Sequence, residues 1–237
     1  NDFPIALSIR EDDIEKCQTI MSNSNLSFSS LIPYSFYETL NTVNNRACMP
    51  NLLEYAALFG SIKCFKFFLM NDAPITPYLI SYAIMGGNIE IIRLCEDFHA
   101  PLDFALRTSI CCFRQDLYEY FSESKDVKFS DSEIFSSINN YNAIGILRNL
   151  PKIYQNPNIC NERGEYPITI ATAKGFIDIV IMLSSIYNID YNVTALTGQT
   201  PIMISVIRNK SLIFDFLIEK EEVDVNIIDM IGQNLLV

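Results

Sequence analysis

Over residues 166–237 the apolar positions come in short runs that return at a fixed interval. Pro167 opens one run, with Ile168, Ile170 and Ala171 behind it. A denser run follows: Ile177, Ile179, Val180, Ile181, Met182, Leu183 and Ile186. Pro201 matches Pro167, and Asp224-Val225-Asn226 matches Asp190-Tyr191-Asn192. Gly164, Gly198 and Gly232 stand 34 residues apart (198 − 164 and 232 − 198). A repeat of that length marks stacked supersecondary units. Within a unit, Thr200-Pro201 reads as a helix start: a hydroxyl at the N-cap, then a proline where a missing N–H costs nothing. Tyr166 before Pro167 makes the same start with a weaker cap. Gly175 predicts the stop of that helix, since glycine turns left-handed without a Cβ clash. The second run is apolar on nearly every side and predicts a helix that neighbouring units must cover. The three spaced glycines then fall in turns between units.

Upstream the same alternation is present but worn. Residues 1–24 predict two helices around a turn at Glu11-Asp12, with Asp12 or Asp13 capping the second. Residues 25–48 break the rhythm and predict a long loop with one short helix near 34–41. At 50–75 the pattern returns: Ala56, Gly60 and Ile62 match Ala171, Gly175 and Ile177. Gly60 and Gly87 are only 27 residues apart (87 − 60), too few for a projecting hairpin between units. Two degenerate pairs follow, Phe104-Ala-Leu with Leu117–Phe121 and Ile134–Ile138 with Ile144–Leu150, and Ser122–Lys128 between them reads as loop. The whole predicts an all-α array of about seven helix pairs. Residues 1–158 form units without hairpins, with an insertion at 25–48. Residues 159–237 form regular ones, the last truncated.

Tyr166-Pro-Ile-Thr-Ile-Ala171 and Thr200-Pro-Ile-Met-Ile-Ser205 resemble the Thr-Pro-Leu-His-x-Ala signature of the ankyrin repeat. The histidine of that signature is replaced by Thr169 and Met203. The run Leu52–Lys66, among hairpin-less units that precede regular ones, resembles more narrowly the divergent ankyrin-repeat proteins of trichomonad-type protists. The resemblance implies a protein-interaction scaffold, and it implies where a partner is held. Its variable positions fall at Glu162, Arg163, Glu165, Ala173 and Lys174. One repeat on they are Leu196, Thr197, Gln199, Ile207 and Arg208, and then Met230, Ile231 and Gln233. In the hairpin-less units they are Leu58, Phe59 and Met85. These three are apolar. Either they form an exposed patch, or the insertion covers them with Pro33, Tyr34 and Phe36.

Charge narrows the choice of partner. The chain has a net charge of −11, and its acids gather late, at Asp215, Glu219, Glu221, Glu222, Asp224 and Asp229. Such a field repels phosphate backbones and anionic lipid surfaces, so neither nucleic acid nor a membrane is expected as a partner. Apolar runs stay short of the ~18 residues of a membrane span, and an intracellular, cytoplasmic location is expected. The chain starts at Asn1 and stops at Val237 just inside a helix start, which reads as part of a longer protein.

Candidate chemistry is sparse. Seven cysteines, an odd number with no C-x-x-C spacing, read as buried free thiols. One histidine leaves zinc short of ligands. Gly86-Gly87 lacks the Gly-Lys-Ser/Thr of a phosphate loop. His99 could act as a base for Cys95, but no third group orients it and a loop position fits it better. Lys63 and Lys66 among Phe65, Phe67 and Phe68 fit the solvent edge of a repeat's second helix better than a membrane-surface helix. No catalytic, cofactor or metal residue is therefore assigned, and the chain is not read as an enzyme. Three functions are carried forward: a scaffold binding a protein through the concave face and hairpin tips, a regulatory or targeting segment of a larger enzyme, and self-assembly through the truncated last repeat.

Overall fold

The computed structural model describes residues 3–24, 26–33, 49–124 and 130–235. Among these are fourteen α-helices, and the only β pairing is an isolated bridge between Leu31 and Asn51. The chain divides into two compact units, Asn1–Lys128 and Phe129–Val237. The first holds α1 (Pro4–Arg10), α2 (Ile14–Asn23), α3 (Leu52–Phe59), α4 (Ile62–Met70), α5 (Leu79–Gly86), α6 (Ile89–Asp97), α7 (Ala105–Cys111) and α8 (Gln115–Glu123). The second holds α9 (Ser132–Asn139), α10 (Ala143–Gln155), α11 (Pro167–Lys174), α12 (Ile177–Ser184), α13 (Pro201–Ile207) and α14 (Ser211–Ile218).

Successive helices pair as hairpins, and the pairs stack. In the first unit α1, α3, α5 and α7 form a row of first helices, with α2, α4 and α6 beside them as second helices. In the second unit α9, α11 and α13 form the first row, and α12 packs on α14. The expected seven pairs and all-α class are therefore what is found.

One backbone slot recurs in every pair. The residue between the two helices is left-handed: Asp12, Gly60, Gly87, Phe113, Tyr141, Gly175 and Asn209. Glycine suits that conformation, and Asp and Asn tolerate it, whereas a bulky side chain is strained there. Phe113 is such a case at φ 55°, and its ring is exposed. Phe113→Gly is expected to raise stability by about 1 kcal/mol, because strain is relieved and little packing is lost. Urea titration checks the sign; a loss of stability contradicts the strain.

Side chains cap the helix starts. Asp13, Asn51, Asn88 and Asn142 each accept an amide hydrogen bond at the start of α2, α3, α6 and α10. Asn88 also donates its Nδ2 to the Gly60 carbonyl at 3.0 Å, tying one pair to the next. Of the two residues expected at the α2 start, Asp13 is the cap. Asp12 instead reaches across to α4, where its carboxylate accepts from the Lys63 and Cys64 amides at 3.2 and 2.9 Å. At Pro167 the expected weak cap is compensated: the Thr169 hydroxyl accepts from the Tyr166 amide at 2.9 Å. This threonine stands where the ankyrin signature has its histidine.

Each unit has its own core. Tyr55, Phe65, Phe68 and Phe121 are the large buried side chains of the first, and Ile134, Ile168, Val180, Leu183 and Leu217 lie in the second. One expectation needs correction. α12 is not covered on all sides: Ile181 is exposed, as are Leu212 and Ile218 on α14. Second helices have neighbours toward the first row and along the stack, and their outward side stays in water. The connector between α12 and α13 spans residues 185–200, while those after α4 and α6 span only 71–78 and 98–104. The short connectors are the hairpin-less joints the sequence predicts. Ser122 and Glu123 belong to the last turn of α8 rather than to the loop expected from 122 to 128.

Part of the insertion is described. Phe28 meets the Phe67 and Phe68 rings at 5.8 and 6.4 Å, so this side chain lies against α4. The Ile32 amide donates to the Pro50 carbonyl at 2.8 Å. The short helix expected at 34–41, with Tyr34 and Phe36, lies outside the described residues.

Candidate functional site

Three hairpin turns project from the second unit, and each is built the same way. Asn161, Ala195 and Asp229 start them, and their amides donate to the carbonyls of Glu165, Gln199 and Gln233 at 3.0, 3.0 and 2.8 Å. Gly164, Gly198 and Gly232 take positive φ at 62°, 76° and 80°, as a turn of this shape requires. Asn161 Oδ1 accepts from the Arg163 and Glu165 amides at 2.9 and 3.0 Å. Asp229 Oδ1 accepts from those of Ile231 and Gln233 at 3.0 and 2.9 Å. Ala195 has no acceptor to offer in the middle turn. Ala195→Asp should supply one and stabilise the protein by about 1 kcal/mol. A thermal midpoint equal to or below that of the parent contradicts this.

The tips touch in sequence. A Cβ on Gly164 would lie 3.1 Å from the Leu196 side chain, and one on Gly198 would lie 2.8 Å from the Met230 amide. That amide donates to the Thr197 carbonyl at 3.1 Å. Below the tips an asparagine ladder joins the same repeats. Asn158 bonds the Asn188 carbonyl and the Asp190 amide, and Asn192 bonds the Glu222 carbonyl and the Asp224 amide. These asparagines share the 34-residue interval (192 − 158) and could have been read from it.

The tips grow apolar along the chain. Glu162 and Arg163 are exposed at the first, Leu196 and Thr197 at the second, Met230 and Ile231 at the third. Leu196, Met230 and Ile231 are 63, 75 and 76% exposed, far beyond what a side chain kept for packing shows. Glu165 and Gln199 are half-buried, Gln233 is exposed, and Glu165 also accepts from Asn161 Nδ2 at 2.9 Å. At the ends of the first-row helices, Lys174, Ile207 and Arg208 are exposed and Ala173 is half-buried.

Charge is segregated. α11 and α13 carry no carboxylate, and the single one on α9, Glu133, is buried. Burial pushes its carboxyl above the ordinary range. Most exposed carboxylates, Asp178, Asp190, Asp215, Glu219, Glu221, Glu222 and Asp224, lie on second helices and connectors, with Glu162 at the first tip and Asp131 just before α9. In an acidic chain, the row ending at Lys174 and Arg208 is thus locally cationic.

Leu58, Phe59 and Met85 lie in the first unit, apart from this set. Phe59 is exposed, while Leu58 and Met85 are half-buried. Arg10 sits over the Phe59 ring, 5.8 Å from its centroid. Within the insertion Phe28 packs on α4, while Tyr34 and Phe36, expected over these three, lie outside the described residues.

The other residues considered for chemistry have structural roles. His99 is exposed in a left-handed turn at φ 54°. Cys95 is buried, which pushes its thiol up to about 12. Phe65 and Phe68 are core residues, and Lys66 pairs with Glu90 at 2.5 Å on the next pair's second helix. Gly86 and Gly87 end α5. Among the described residues, no group of three or more His, Cys, Asp or Glu side chains could hold a metal ion. No described helix is long and apolar enough to cross a membrane.

Comparison with known families agrees with this geometry. Residues 70–147 match a family model described as a domain of unknown function (DUF3447), and residues 134–229 match one described as ankyrin repeats, in three copies. A search of the curated proteins finds no match. Residues 134–229, with their paired helices and projecting turns, are thus similar to ankyrin repeats, and an all-α repeat architecture runs through the fourteen helices described.

Proposed function

We propose that this protein is an interaction scaffold that binds a protein partner through the concave face and hairpin tips of its second unit. Ankyrin repeats generally mediate protein–protein interaction. The observation that carries the reading is the row Leu196, Met230 and Ile231, large apolar side chains held in water on the last two of three stacked turns. A contiguous exposed apolar patch on a folded surface marks an interaction site. Arg163, Lys174 and Arg208 flank it, so the partner offers apolar anchors with carboxylates beside them. Glu162, Glu165, Thr197 and Gln199 set the rim. Leu58, Phe59 and Met85 make a second, smaller contact on the first unit. The reading carries no catalytic step and takes the chain to be cytoplasmic. The narrower resemblance to trichomonad-type ankyrin proteins belongs to the same proposal.

Proximity labelling followed by pull-down with the full chain tests it. Met230→Asp/Ile231→Asp and Lys174→Glu/Arg208→Glu should each lose the main partner, while Leu147→Asp/Ile181→Asp on the second-helix row should keep it. One partner set shared by all three variants and the parent contradicts the assigned face.

A second reading, self-association through the last pair, has one specific observation behind it. Val206 is 50% exposed, whereas Thr172 at the same position one repeat earlier is fully buried. Light scattering over a concentration series decides: a constant monomer mass excludes it.

A further inference from the structure

Cys17 on α2 and Cys64 on α4, the second helices of consecutive pairs, meet with their sulfurs 3.5 Å apart. That is about 1.5 Å beyond a covalent S–S bond. Both side chains are 0% exposed. The surroundings hold them in place. Ser8 gives its hydroxyl proton to the Ile5 carbonyl at 2.9 Å, which leaves its oxygen, 3.1 Å from Cys17, to accept the Cys17 S–H. The Cys64 S–H then points at the Cys17 sulfur. The Asp12 carboxylate fixes the first turn of α4 by accepting from the Cys64 amide at 2.9 Å.

We propose that Cys17 and Cys64 are a modification site, a dithiol that a hydroperoxide converts to a disulfide stapling the first two helix pairs together. Burial explains why the pair is selective rather than inert. Cys17 is the one buried residue of α2, so that helix is lightly held and opens locally. When Cys17 ionises, the Cys64 S–H stabilises the thiolate, which holds Cys17 below the usual thiol range and pushes Cys64 well above it. The thiolate attacks one peroxide oxygen: an S–O bond forms, the O–O bond breaks, and the departing hydroxide takes a proton to become water. Cys17 is now a sulfenic acid. The Cys64 sulfur attacks it, the S–S bond forms, the S–O bond breaks, and the second hydroxide leaves as water with the Cys64 proton. Two thiols have lost two electrons and two protons, and one hydroperoxide (as hydrogen peroxide) has become two waters. A dithiol reductant reverses the step by exchange. The staple replaces α2's single buried anchor with a covalent one and closes the chain from residue 17 to residue 64.

The test treats the full chain with hydrogen peroxide, alkylates it, and maps its peptides without reduction. A Cys17–Cys64 linked peptide is expected, lost on addition of dithiothreitol. With it, amide exchange in α2 should slow by roughly 10-fold or more. Cys64→Ser should halt the reaction at a Cys17 sulfenic acid that dimedone captures. Because a serine variant could misfold, the parent protein alone is decisive. Cys17 and Cys64 recovered as alkylated thiols, or linked to other cysteines instead, overturn the assignment.

Discussion

Gly86→Ala is expected to destabilise the protein by about 3 kcal/mol, the upper part of the range for an overpacked core. A Cβ there would lie 2.1 Å from the Ala57 carbonyl oxygen and 2.7 Å from that of Leu58. Both are backbone atoms of α3 that no rotamer change can move, so α5 must back away from the helix it packs on. Gly87 is the control. It is the left-handed residue, at φ 73°, and its Cβ would meet the Arg114 guanidinium at 2.4 Å. That side chain is flexible and can swing aside, so Gly87→Ala should cost only the backbone strain, about 1–2 kcal/mol. Backbone angle alone ranks the two variants the other way round. Urea unfolding of both variants distinguishes the accounts, and Gly87→Ala proving the costlier change would show that the helices are not as close as described.

Glu54→Ala should cost a similar amount, about 3 kcal/mol. The Glu54 carboxylate is buried at the start of α3 and closes a reciprocal cap: the Glu54 amide donates to Asn51 Oδ1, and Glu54 Oε2 accepts from the Asn51 amide, both at 2.8 Å. Its other oxygen accepts the Thr76 hydroxyl from the connector between α4 and α5. Alanine orphans a buried N–H, frees the threonine and leaves a void. Glu54→Gln keeps the shape and one acceptor oxygen, so it should fall about midway. Equal losses for alanine and glutamine would mean that the void, not the hydrogen bonds, sets the cost.

The sequence made the repeats legible where glycine marks the left-handed slot, and obscured them where it does not. Gly60, Gly87 and Gly175 announce their pairs, whereas Phe113 and Tyr141 fill the same slot with aromatics. The insertion separates Asp12 from Gly60 by 48 residues (60 − 12), which hides that interval too. The 34-residue period gave the hairpin turns and the positions at their tips. Exposure was not legible, because Ile181, Leu212 and Ile231 look like core residues in a list of letters. Only the stacking geometry shows which of them face water. The Asp12 cap on α4 and the Cys17–Cys64 contact join residues 51 and 47 positions apart, and no local pattern signals either.

Hydrogen exchange of the full chain, with and without the partner recovered by pull-down, tests the central claim most directly. The account predicts slowed exchange in the three turns at 161–166, 195–200 and 229–234 and in the last turns of α11 and α13. Slowed exchange confined to α10, α12 and α14, with the turns unchanged, would contradict it.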